Sequence, residues 1–112
     1  MKIKKLILID LDGVLNEYKG DYDEKYIPQI KEGAFDFIKE LSKRYRIKIF
    51  TSRNLILTVN WIMDNKLDKY IEDVTNIKSP SYLIIDDRCI NFSGDYRELT
   101  GVISKFKPWY KQ

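Results

Sequence analysis

A chain of 112 residues, 44% apolar and 33% charged, has the makeup of one globular domain around one core and leaves no room for a second. Its 20 Lys and Arg stand against 17 Asp and Glu, interspersed along the chain, so a net charge of +3 names no partner. With no histidine and a single cysteine, Cys89, the composition excludes a disulfide framework, the usual zinc sites and any Ser-His-Asp or Cys-His nucleophile, and leaves chemistry to carboxylates, lysines, hydroxyls and a hard cation.

Residues 4–9 are short, nearly all apolar and rich in Ile and Leu, which suits a strand buried on both faces of a parallel sheet. The run is too short for a signal-peptide core, and no segment approaches the roughly 18 apolar residues of a membrane span. A cytoplasmic protein with no membrane partner is expected. From 31 to 44, Ala34, Phe35, Ile38 and Leu41 recur at helical spacing, predicting an amphipathic helix. Residues 46–50 read as a second strand. Residues 55–65 carry Leu55, Val59, Ile62 and Met63 at spacings of three and four, predicting a second helix. A short strand at 72–75, a clear one at 82–85 and a last helix within 97–105, interrupted by Gly101, complete the pattern. Strands alternating with helices imply an α/β fold: a three-layer, Rossmann-like arrangement with a mostly parallel central sheet between helices.

In such sheets ligands bind at the carboxyl ends of the strands, and each clear strand here ends in a polar group. Asp10 and Asp12 follow the first, Thr51 and Ser52 the second, Asp86 and Asp87 the third. Four converging carboxylates are costly unless a cation lies among them, and magnesium is the natural occupant. Asp10 and Asp12 are two apart, so both side chains point one way while Leu11 turns into the core, and Gly13 lets a ligand approach the backbone. One carboxylate placed to attack phosphorus and a neighbour placed to handle the leaving group's proton suit phosphoryl transfer. Thr51, Ser52, Arg53 and Lys78 are the candidates for binding the phosphoryl oxygens.

These residues resemble the haloacid dehalogenase superfamily of phosphohydrolases over residues 6–96, with four motifs in order. Residues 8–15, Leu-Ile-Asp-Leu-Asp-Gly-Val-Leu, look like the first, whose leading aspartate is phosphorylated and whose second acts as general acid and base. Residues 49–53 look like the second, with Thr51 binding the transferring group. Lys78 is similar to the third-motif lysine, although its context is loose and Lys66 or Lys69 are alternatives. Residues 82–88 look like the fourth, whose acidic pair binds magnesium. The resemblance implies metal ligation by Asp10, the Asp12 carbonyl and Asp86, with Asp87 close by. Aspartate rather than threonine at position 12 implies a phosphatase rather than a transport ATPase.

Neither gap between motifs has room for a cap domain, so the chain resembles small capless members. Their site is open unless a large substrate or a second subunit covers it, which gives a reason for a homo-oligomer. Asn16, Glu17, Tyr18, Arg53, Asn54 and Arg88 are expected at the rim. The expected substrate is a small phosphorylated metabolite or nucleotide, the alternative being a phosphorylated nucleic-acid end, given Lys2, Lys4, Lys5, Lys105, Lys107 and Lys111 at the termini. Solvated lysines around a docked Trp109 and Tyr110 are the plainer reading of that tail. Two other functions compete. A receiver-type phosphoacceptor domain needs its lysine near the end, whereas here the lysine precedes the acidic pair; a catalytically silent phosphate- or protein-binding relative would keep the same motifs. Cys89 reads as a small buried packing residue rather than a redox switch.

Overall fold

A computed structural model describes residues 3–112; Lys2 of the basic amino-terminal group lies outside them. Four strands form one all-parallel sheet: β1 (Leu6–Ile9), β2 (Arg46–Phe50), β3 (Asp73–Thr75) and β4 (Leu83–Ile85), in the order β3-β2-β1-β4. Three helices flank it, α1 (Ala34–Leu41), α2 (Leu55–Asp64) and α3 (Tyr96–Lys105), and a 3-10 turn at Trp109–Lys111 ends the chain. No helix among the described residues is long and apolar enough to cross a membrane.

The central β1 is buried at every position, as its unbroken apolar run requires. Ile7 and Ile9 face the main core with Ile47 and Ile49 of β2, joined by Ala34 and Ile38 of α1 and Ile62 of α2. Parallel register puts Leu8 beside Lys48 on the opposite face, so β2 alternates between core and half-exposed positions.

The first helix is shorter than its periodicity predicts. Gly33 has φ 88, a left-handed conformation that a right-handed helix cannot include, so α1 begins only at Ala34. The Asn54 side chain accepts from the Leu57 N–H at 3.0 Å and caps α2. The buried face of that helix does not follow its apolar stripe. Thr58 and Ile62 are buried, with Trp61 half-buried and donating from Nε1 to the Pro28 carbonyl at 3.1 Å, whereas Leu55, Val59 and Met63 are exposed. A threonine and a tryptophan hydrogen-bonded to backbone thus take the inward positions that counting apolar residues alone assigns elsewhere. Gly101 does not interrupt α3, which runs through it under an Asp95 cap. No residue of α3 is fully buried.

Candidate active site

After β1 the chain moves outward through β2 and β3, then returns to the other side of β1 to form β4. The reversal between β1 and β4 is the switch point at which open α/β sheets form a crevice beyond their carboxyl ends. Asp10 leaves β1 there and Asp86 and Asp87 leave β4. The Asp10 N–H donates to the Ile85 carbonyl at 2.9 Å, extending the ladder one residue and holding the two acidic ends level. Carboxylate oxygens of Asp10, Asp86 and Asp87 lie within 4.8 Å of one another.

Three carboxylates so close favour proton retention. Burial first, then Asp86, Asp87 and Asp12, push the Asp10 carboxyl up to about 8. Asp87 is raised as well, by burial and by Asp86. Both Asp87 oxygens are buried and receive no hydrogen bond from the described residues. An all-oxygen donor set with buried oxygens lacking donors fits a hard divalent cation such as magnesium.

Gly13 makes this packing possible. Its φ is 80, and a Cβ built there would collide with the Asp87 carboxylate. Gly13→Ala is therefore expected to cost about 1–2 kcal/mol of backbone strain and to displace Asp87 as well. Urea unfolding measures the first effect, and the magnesium concentration giving half-maximal thermal stabilisation measures the second.

Leu11 is fully buried, and Asp12, expected as a fourth carboxylate of the cluster, is not among the three whose oxygens meet within 4.8 Å. One Asp12 oxygen accepts from Asn16 Nδ2 at 3.0 Å and the other from Arg53 Nε at 2.8 Å. Two residues expected at the rim thus lie beneath the site. Asn16 is fully buried because its Oδ1 accepts from the backbone N–H groups of Gly13 at 3.1 Å and Tyr18 at 3.0 Å, tying off the turn after β1. Arg53 is 1% exposed: Nη1 donates to the Asp23 carbonyl at 2.9 Å, while Nη2 is buried without an acceptor. The Arg53–Asp12 pair spans 41 positions and has no local signature in the sequence.

Thr51 is buried at the end of β2, its N–H on the Thr75 carbonyl at 3.0 Å and its hydroxyl accepting from the Arg53 N–H at 3.2 Å. Ser52 is exposed beside it. Lys78 stands exposed in the 76–82 loop, and none of the ion pairs among the described residues joins it to an aspartate. The alternatives Lys66 and Lys69 precede β3 and so lie toward the amino ends of the parallel strands, opposite the acidic cluster. Glu17 and Tyr18 are half-buried, and Asn54 and Arg88 are exposed. Cys89 is exposed rather than packed, because it follows the turn in which the Arg88 N–H donates to Asp86 Oδ1 at 2.9 Å. Partial burial and the nearby Asp86, Asp10 and Asp87 push its thiol up, which disfavours the reactive thiolate.

The carboxyl-terminal tail docks on the same loop. Trp109 Nε1 donates to the Gly13 carbonyl at 2.6 Å, the Lys31 ammonium lies 4.3 Å from the Trp109 ring centroid, and Tyr110 meets Tyr18 edge-on at 6.1 Å. The sequence shows a docked aromatic but not its target. The contact with Gly13 links residues 96 positions apart.

No family model matches the chain, and no curated protein is similar enough in sequence to match it. Among solved structures, a conserved protein from Bacteroides thetaiotaomicron is similar in fold, with a TM-score of 0.60 at 18% identity over 97% of each chain. That likeness carries the α/β fold alone.

Proposed function

We propose that this chain is a magnesium-dependent phosphomonoester hydrolase of the haloacid dehalogenase type, acting on a small phosphorylated molecule. The observation that carries the reading is the meeting of Asp10, Asp86 and Asp87 oxygens within 4.8 Å at the switch point of the sheet. Asp12, two residues from Asp10 and fixed by Asn16 and Arg53, supports it further.

In this reading an Asp10 oxygen bonds to phosphorus as the bond to the leaving oxygen breaks, and Asp12 passes that oxygen a proton. A water oxygen, giving a proton to Asp12, then bonds to phosphorus as the Asp10 bond breaks, releasing phosphate. Thr51 and Ser52 stand at the end of the neighbouring strand, where the phosphoryl oxygens would be bound. Asp10, Asp86 and Asp87 would hold the magnesium ion, with the Asp12 carbonyl as the resemblance implies; when bound, it offsets the charge of the carboxylates and of the phosphoryl oxygens.

Phosphate release from an aryl phosphate and a panel of phosphorylated metabolites, with magnesium and with chelator, tests the reading. Asp86→Ala is expected to raise the magnesium concentration for half-maximal activity at least about tenfold. An unchanged titration would remove Asp86 from the ligand set. The exposure of Lys78, away from any ion pair with Asp10, favours a second reading, a silent relative that binds phosphate without turnover. Binding of magnesium and phosphate with no hydrolysis of any compound would select it.

A further inference from the structure

The proposed reaction gives the leaving group a direction: Asp12 hands it a proton, so it departs on the Asp12 side of the phosphorus atom. On that side Arg53 connects Asp12 to an aromatic ring. Its Nε lies 2.8 Å from Asp12 Oδ2, and its Cζ lies 4.7 Å from the Tyr22 ring centroid. Tyr22 forms one wall of a cleft of about 460 Å³ that is also lined by Glu24, Lys25, Ser52, Asn54 and Leu57. Ser52, one of the candidates for binding the phosphoryl oxygens, lines this cleft, which therefore lies beside the end of β2.

We propose that the cleft receives the leaving group and that Tyr22 selects a planar, hydrogen-bonding one, the nucleoside of a nucleoside monophosphate. This inference rests on the phosphatase reading. One face of the Tyr22 ring lies against a guanidinium that is itself fixed by Asp12 and by the Asp23 carbonyl at 2.9 Å, so the ring is a positioned platform. Tyr22 is 55% exposed, so much of the side chain is available for stacking. The remaining lining suits a polar heterocycle better than a hydrocarbon. Asn54 Oδ1 accepts from the Leu57 N–H, so the donors this side chain can offer a ligand are its amide Nδ2 hydrogens. The Ser52 hydroxyl, the Lys25 ammonium and the Glu24 carboxylate add donors and an acceptor around one apolar side chain, Leu57.

The test compares kcat/KM for 3′- and 5′-nucleoside monophosphates with that for acetyl phosphate, whose leaving group is too small to reach Tyr22, in wild type, Tyr22→Ala and Tyr22→Phe. The nucleotide-to-acetyl-phosphate ratio is expected to fall about tenfold or more in Tyr22→Ala, carried by KM, and to stay near wild type in Tyr22→Phe. An unchanged ratio in Tyr22→Ala overturns the inference. So does a wild-type protein that hydrolyses acetyl phosphate but no nucleotide, and both results leave the phosphatase reading standing. Absence of Asp10-dependent release from every substrate overturns both.

Discussion

Asp10→Asn is expected to lower phosphate release by about four orders of magnitude or more, because an amide oxygen does not replace a carboxylate as nucleophile. The same substitution is expected to change stability in the opposite direction. In the absence of a divalent cation, Asp10 is held up to about 8 from an ordinary value of 3.8, so between those values the folded chain keeps a proton that the unfolded chain has lost. The stability linked to that proton is fully present below about pH 4 and is lost as the pH rises through about 8. Thermal unfolding in chelator is therefore expected to shift downward between pH 4 and pH 8, and Asp10→Asn to flatten that slope while raising the midpoint at neutral pH. Magnesium is expected to reverse the loss in wild type. A chelated protein whose midpoint is flat over this range would show that the cluster does not strain the fold.

Arg53→Met is expected to reduce stability by about 3 kcal/mol, since it leaves Asp12 without its partner beneath the site. The side chain is 1% exposed and joins three segments: the turn after β1 through Asp12, the 17–27 loop through the Asp23 carbonyl, and its own position after β2. Releasing Asp12 is also expected to slow turnover about 100-fold, the scale of a misplacement near 1 Å in a catalytic group. Urea unfolding gives the first quantity and the rate under saturating magnesium the second. Arg53→Lys retains the charge but cannot span Asp12 and Asp23 with one planar group, so an intermediate loss of both is expected. Wild-type stability in Arg53→Met would contradict the buried pair.

Much of the fold was legible because it is local. Residues 46–50 form the strand that their pattern predicts, and the apolar run before Asp10 is buried along its whole strand. The acidic cluster was legible from topology instead: parallel pairing carries the ends of β1 and β4 to one edge, so placing Asp10 and Asp86 needs only the strands and their direction. What the sequence hid depends on the loop at 10–33 folding back. Asn16 and Arg53 look like solvated rim residues until the turn after β1 and the 17–27 loop close on them, through hydrogen bonds between positions as far as 41 apart. The buried face of α2 is not legible from its apolar spacing, because Thr58 is buried with its hydroxyl on the Asn54 carbonyl at 2.8 Å, a contact that hydrophobic periodicity does not count. Lys78 carries a motif-like position but no local constraint, and its loop leaves it in solvent.

The most direct test of Asp10 as the phosphoryl acceptor is to locate a covalent phosphate on the chain. Asp12→Asn keeps the nucleophile but removes the group that takes a proton from water, so the acyl phosphate is expected to accumulate. After brief reaction with magnesium and an aryl phosphate whose leaving group departs without a proton, acid quenching and peptide mass spectrometry should find the phosphoryl group on Asp10 and on no other residue. Phosphate released with no label on Asp10, together with undiminished turnover by Asp10→Asn, would contradict the account.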